Sequence, residues 1–124
     1  MTNIYSSKLN ILHVTPAFYP ATRWGGPIFS TKALCDGISS PSGVTLRVFT
    51  TDAAGPSRLD KLNLPKSTVR MPEGYSVTYF HRVLFHSFSL TMLCHLPRAI
   101  LHADVVHLTG TYSAPTLPTL TLAK

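Results

Sequence analysis

A buried strand, a long loop and a helix follow one another between Lys8 and Ile38, and this unit constrains the fold most. The strand is the run KLNILHV, and a short run rich in Ile, Leu and Val is typical of a strand buried on both faces. Gly25, Gly26 and Pro27 then open the helix, because glycine permits close backbone approach and proline suits the first helical position. In open α/β sheets, ligands bind where such a helix begins, at the carboxyl end of the strand, and phosphorylated ligands do so especially often.

The rest of the chain repeats the alternation of strand and helix. The patterns predict strands at Leu9–Val14, Val44–Thr51, Ser76–Arg82 and Asp104–Gly110, and helices at Pro27–Ile38 and Phe88–His102. Alternating elements with right-handed crossovers imply an α/β fold, a Rossmann-like parallel sheet with helices on both faces. We expect the four strands in the order three-two-one-four, with the loops after the first and fourth strands at one edge.

Two segments interrupt the pattern. Asp52–Gly74 carries most of the turn residues and predicts an irregular excursion with one short helical turn. Pro97 lies inside the second helical pattern and is expected to kink or split that helix. The chain ends after a fresh loop signal without a helix cap, so we expect a truncated fragment of a larger fold.

Charge and hydropathy limit the function classes. The formal charge is +6, which favours anionic partners such as phosphates or an acidic membrane surface. The basic residues are scattered, so nucleic acid is not an expected partner. No signal peptide and no apolar run of roughly 18 residues are present, so a cytoplasmic protein, peripheral to the inner face of the membrane or free of it, is expected. Cys35 and Cys94 are predicted to be small buried side chains in a reducing compartment.

Several familiar sites are missing from the sequence. It contains no GxGxxG dinucleotide fingerprint, no GxxxxGK[ST] phosphate loop, no HExxH and no GxSxG. Two segments remain as a candidate site: Trp24–Pro27 after the first strand, and His107–Ser113 after the fourth. The long loop from Thr15 to Gly26 is either functional or a surface loop packed by its own aromatic residues. His13 is expected to be a satisfied core histidine, and His107 is either functional or bonded to the backbone at the strand end.

These motifs together resemble the N-terminal domain of family 4 glycosyltransferases, which are retaining transferases of the two-domain GT-B architecture. The resemblance rests on ILHVTPAFYP…WGGP, VTLRVFTTDA and ADVVHLTGTYSAPT, which keep the family's order and spacing from about Leu9 to Lys124. It implies that residues 1–124 form an acceptor-binding domain whose C-terminal donor-binding domain is absent. The parent enzyme would transfer a sugar from a nucleotide-sugar donor to a saccharide or lipid-linked acceptor, as in polysaccharide biosynthesis.

The resemblance also implies roles for particular residues. Gly25 and Gly26 match the loop that approaches the donor phosphates, and Arg23, Trp24, Gly110 and Tyr112 fall where the acceptor would bind. His107 matches the first histidine of a His-x-His motif, and Thr109 stands where many relatives have the second, which approaches the reacting sugar. A hydroxyl cannot replace an imidazole as a proton acceptor near neutral pH. The family implies no metal and no further cofactor.

Two rival hypotheses remain. The first is a non-catalytic Rossmann-like binding domain, an isolated half that keeps the fold and transfers nothing. The resemblance places the family's pair of glutamates in the C-terminal domain, and the single glutamate of this chain, Glu73, lies outside any such motif. The second is a flavodoxin-like or response-regulator module, against which the long glycine loop and the lack of acidic clusters argue.

Overall fold

The computed structural model describes residues 9–40, 43–55, 59–64, 66–82 and 89–109. Within them it contains five strands and two α-helices. The elements, in chain order, are β1 (Leu9–Val14), a 3-10 turn (Thr22–Trp24), α1 (Gly26–Ser39), β2 (Val44–Thr51), β3 (Thr68–Arg70), β4 (Ser76–Phe80), α2 (Leu90–Leu101) and β5 (Val105–Leu108).

The strands form one sheet in the order β3-β4-β2-β1-β5. The pairs β4–β2, β2–β1 and β1–β5 are parallel, which confirms the predicted α/β class and the order of the four predicted strands. The sheet is that of a Rossmann-like fold. β1 is hydrogen-bonded to β2 on one side and to β5 on the other, as expected of a short run rich in Ile, Leu and Val.

The two helices pack on opposite faces of the sheet. The connection from β1 to β2 crosses the sheet in one direction and that from β4 to β5 in the other, so right-handed crossovers put α1 and α2 on different sides. Strand side chains alternate between the two layers. The cluster against α2 contains Leu12, Val14, Phe49, Phe80, Met92, Leu96 and Ala99. The cluster against α1 contains Phe18, Cys35, Leu46, Val48, Tyr75, Val77 and Tyr79.

The middle excursion is irregular as predicted but contains a short strand that the sequence did not predict. It contains the short strand β3, antiparallel to β4, and an isolated bridge between Ala53 and Lys61, and its described residues form no helical turn. β3 has three residues, of which only Val69 is half-buried, so no period of alternation was long enough to detect. The third predicted strand also ends earlier than expected, at Phe80 instead of Arg82.

Two further expectations about α2 need correction. Pro97 does not split the helix, which runs without interruption from Leu90 to Leu101. Packing of Met92, Leu96 and Ala99 against the sheet holds both halves, and burial of one such large side chain contributes about 1.5–3 kcal/mol. Cys94 is exposed and not buried, whereas Cys35 is buried as predicted.

The last predicted strand is observed at Val105–Leu108, and Gly110 lies outside the described residues.

No helix in the described part of the chain is both long enough and apolar enough to cross a bilayer.

Candidate functional site

The loop between β1 and α1 lies over the carboxyl ends of β2 and β4. The backbone N–H of Thr15 donates to Phe49 O at 3.0 Å, and the Thr51 hydroxyl donates to Pro16 O at 2.6 Å. The hydroxyl of Tyr79 on β4 donates to the carbonyl of Tyr19. On the other side of β1, the N–H of Thr109 donates to Val14 O at 3.1 Å. The predicted glycine loop and the start of the predicted His107–Ser113 segment therefore follow neighbouring parallel strands at one edge.

Gly25 and Gly26 form the open start of α1. Gly25 has a φ of 86°, which is left-handed backbone that favours glycine, and no side chain caps the helix. A Cβ at either position would meet nothing within 4 Å. The space that a ligand would need beside this backbone is present.

The hydrogen bonding at this helix end is more restricted than the sequence predicted. The N–H of Gly25 donates to Thr22 O at 3.0 Å, the N–H of Ile28 donates to Gly25 O at 3.1 Å, and Pro27 has no N–H. Among the described residues, none accepts a hydrogen bond from Gly26 N–H. An anion at this position would receive one backbone donor together with the positive end of the helix dipole.

Arg23 and Trp24 contact the excursion that follows β2. Arg23 is exposed and pairs with Asp60, with Nη1 and Oδ2 3.0 Å apart. The indole Nε1–H of Trp24 donates to Ala53 O at 3.0 Å, and its ring packs on the cluster of Ala17, Ala21 and Ile28. Both side chains thus connect the loop after β1 with the excursion after β2.

Arg82 anchors the same excursion through a set of hydrogen bonds that the sequence did not predict, and we call this set the Arg82 latch. Arg82 is 3% exposed, and its guanidinium donates to Gly55 O at 2.7 Å and to Asp60 O at 3.0 Å. Its backbone N–H donates to the carboxylate of Asp52 at 2.8 Å. Asp52 follows the end of β2, and Arg82 follows the end of β4, the adjacent parallel strand. These equivalent positions were the one signal in the sequence from which the contact between the two residues could have been predicted.

His13, His107 and Thr109 form a hydrogen-bonded cluster between β1 and β5. His13 and His107 are register partners on the face of the sheet that carries α1. Their Nδ1 atoms lie 3.0 Å apart, and Nε2 of His13 lies 3.3 Å from the hydroxyl of Thr109. The thiol of Cys35 on α1 lies 3.9 Å from Nδ1 of His13. His13 is therefore a satisfied core histidine, as predicted, and His107 bonds to a side chain instead of the backbone.

Burial keeps His13 and Cys35 uncharged at neutral pH. His13 is 0% exposed, and desolvation, followed by repulsion from His107, lowers the pKa of His13 to about 4. Desolvation likewise raises the pKa of the Cys35 thiol to about 12. Both groups are therefore neutral near pH 7, and a hydrogen bond between the two imidazoles requires one nitrogen to carry a proton and the other a lone pair.

Thr50 carries a spare polar atom near the same edge. It is the second-last residue of β2 and is fully buried. No described residue forms a hydrogen bond with its hydroxyl oxygen, Oγ1. Such an atom normally costs stability and is a candidate for a hydrogen-bond partner beyond the described residues.

A groove of about 830 Å³ lies beside α2 on the opposite face of the sheet. Its lining includes Arg47, Lys66, His81 and His95, with Asp52 the acidic residue among its lining side chains. None of the predicted site residues lines it, so it is separate from the glycine loop and the histidine pair.

The remaining predicted site residues, Gly110 and Tyr112, lie outside the described residues. The described residues contain no group of three or more His, Cys, Asp or Glu side chains arranged to hold a metal ion. Comparison of the chain with known protein families, with curated proteins and with solved structures finds no match.

Proposed function

We propose that this chain is the acceptor-binding, N-terminal domain of a retaining GT-B glycosyltransferase that moves a sugar from a nucleotide-sugar donor to a saccharide or lipid-linked acceptor. The observation that carries the proposal is the position of two short segments at one sheet edge. The uncapped start of α1 follows β1, and His107 and Thr109 lie on and just after the neighbouring β5.

The chemistry of this edge suits a phosphorylated sugar donor beside a hydroxylated acceptor. Gly26 N–H and the helix dipole favour an anion, and the space around both glycines is open. His107 and Thr109 supply an imidazole and a hydroxyl of the kind that hydrogen-bond sugar hydroxyl groups. The formal charge of +6 also attracts anionic donors and an acidic membrane surface, which supports a cytoplasmic, membrane-peripheral location.

A binding domain without transfer activity is the second candidate function. It is favoured by the position of Glu73, the single glutamate, which pairs with Lys32 of α1 at 3.3 Å and does not lie beside the histidines. Such a domain would recognise the same saccharide and leave the chemistry to another protein.

Binding of the acceptor can be tested without a complete enzyme. The ¹⁵N-labelled chain is titrated with a panel of oligosaccharides and lipid-linked sugars, and the amide signals of Gly26, His107 and Thr109 are followed. We expect one member of the panel to shift these signals and leave those of the groove beside α2, such as Thr78, unchanged. Shifts confined to the groove, or none with any saccharide, would contradict the proposal.

A transfer assay distinguishes the two candidates. Labelled nucleotide sugars and the saccharide that binds are incubated with the chain, with and without a GT-B donor domain. Transfer that requires both proteins supports the glycosyltransferase, whereas binding without transfer in either mixture supports the non-catalytic domain.

A further inference from the structure

The histidine pair has more hydrogen-bonding capacity than its structural role needs. His13 is fully buried and holds both of its ring nitrogens in contacts, Nδ1 with His107 and the Cys35 thiol, and Nε2 with Thr109. A core histidine bonded to two backbone groups would have one fixed tautomer. Here each neighbour is itself able to donate or to accept, so neither partner by itself decides which nitrogen of His13 carries the proton.

We propose that His107, His13 and Thr109 form one proton relay across β1 and β5, with the buried His13 as its middle member. The three groups are joined by two contacts of 3.0 and 3.3 Å, which are hydrogen-bond distances. Thr109 is held in place independently, since its backbone N–H bonds to Val14 O. The relay therefore has fixed members and movable protons.

The relay has two complementary proton arrangements. In the first, His107 Nδ1–H donates to His13 Nδ1 and His13 Nε2–H donates to the Thr109 oxygen. In the second, the Thr109 hydroxyl donates to His13 Nε2 and His13 Nδ1–H donates to His107 Nδ1. The two imidazoles always carry their protons on opposite nitrogens, because two protonated or two bare Nδ1 atoms cannot bond to each other.

Passage from the first arrangement to the second moves one proton through the protein. A ligand group gives a proton to His107 Nε2, the Nδ1 proton of His107 passes to His13 Nδ1, and the Nε2 proton of His13 passes to the Thr109 oxygen. Thr109 then releases its original hydroxyl proton to water at its partly exposed side. Four bonds to hydrogen form and four break, and the three side chains end uncharged, which suits the burial of His13 in the middle of the relay.

The two ends of the relay are the half-buried members. His107 and Thr109 are partly exposed, whereas His13 is closed off by β1, β5 and α1. Among the described residues, none bonds to His107 Nε2. In the proposed sugar transfer an acceptor hydroxyl must lose a proton, and His107 Nε2 is the relay atom that can take it. That use rests on the proposed function, but the relay itself does not.

Nuclear magnetic resonance tests the relay without any sugar. In the ¹⁵N-histidine-labelled full chain at about pH 7.5, above the usual histidine pKa, we expect a scalar coupling between the two Nδ1 nuclei through the shared hydrogen bond. The ¹⁵N shifts should show opposite tautomers for His13 and His107. Absence of the coupling, or the same tautomer at both residues, would overturn the relay.

A variant pair tests whether the relay extends to Thr109. Thr109→Val removes the hydroxyl at nearly constant volume, and Thr78→Val makes the same change on the other face of the sheet. We expect Thr109→Val to move the ¹⁵N shifts of His13 Nε2 and also of His107 Nδ1, the far side of the relay, and Thr78→Val to move neither. An effect on His13 that stops before His107 would reduce His13 to a structural residue. Failure to bind any saccharide would refute the proposed function and leave the relay intact.

Discussion

Gly25 and Gly26 are adjacent but differ in what a side chain would cost. Gly25 has a φ of 86° and a ψ of −147°, a backbone region that is essentially open to glycine alone, so Gly25→Ala should lower the free energy of unfolding by about 1–3 kcal/mol. Gly26 has ordinary backbone and open space, so Gly26→Ala should change it by no more than about 0.5 kcal/mol. The same Cβ would keep a phosphate from Gly26 N–H, and we expect affinity for uridine diphosphate to fall about tenfold.

Urea unfolding and calorimetric titration with uridine diphosphate measure both effects. Gly37→Ala, at an exposed glycine inside α1, is the matched control and should leave affinity unchanged. If Gly26→Ala binds uridine diphosphate as the native chain does, the phosphate role of this loop is wrong.

The buried His13 should make the protein sensitive to mild acid. Its pKa is about 4 in the folded state and 6.5 in the unfolded state, so below pH 6.5 the unfolded chain binds a proton that the folded chain does not. Stability is fully retained above pH 6.5 and falls as the pH drops towards 4, by up to roughly 3 kcal/mol. The groups that face His13 are the Cys35 thiol and His107.

Urea unfolding between about pH 6.5 and 5, where most carboxylates stay ionised, measures this loss. His13→Gln keeps a neutral polar side chain and should flatten the pH dependence in that range. An equally steep decline in the variant would assign the acid sensitivity to other groups.

Among the helices and loops, the two prolines at helical positions offer a direct comparison. Pro97 is exposed in the interior of α2, where it removes one backbone hydrogen bond, while Pro27 lies in the first turn of α1, where an N–H has no helical partner. Pro97→Ala should therefore raise the free energy of unfolding by about 1–3 kcal/mol. Pro27→Ala should change it by less than about 0.5 kcal/mol. Thermal melts of both variants check this, and equal shifts would contradict it.

The Arg82 latch should control how firmly the excursion after β2 is held. Arg82→Met keeps much of the side-chain volume but removes the donor to the buried Gly55 O and leaves Asp60 O with Ala54 N–H, so we expect a loss of about 1–3 kcal/mol. Amide exchange should accelerate most at Ala54 and Leu62, whose N–H groups bond to Asp60 and Asp52. Arg70→Met on the exposed edge strand β3 is the control, and comparable losses in both variants would argue against a latch.

At the scale of the whole molecule, the proposed sugar transfer requires donor and acceptor to be held together. That positioning supplies roughly 7–11 kcal/mol of a barrier. We therefore predict that purified residues 1–124 bind saccharide but transfer no sugar from any nucleotide-sugar donor. Mass spectrometry of the acceptor after incubation with a donor panel checks this, and turnover by the chain alone would overturn it.

The local elements were determined by the sequence. β1 and β2 have the predicted bounds, and α1 differs from its prediction by one residue at each end. Apolar runs rich in β-branched residues specify buried strands, and Gly and Pro mark where helices begin, so these signals act between neighbouring residues. The order of the four parallel strands followed from the same alternation and the handedness of crossovers.

Only the tertiary structure decided the contents of the site. His13 and His107 are 94 residues apart and Arg82 lies 27 residues from Gly55, yet each pair is in contact. Nothing local in the sequence encodes these distances, because they depend on which strands become neighbours and in what register. Strand β3 likewise depends on the tertiary structure, because it forms by pairing with the free edge of β4. So do the N–H groups of Gly25 and Ile28, which donate to carbonyl groups of the same loop and are not open to a ligand.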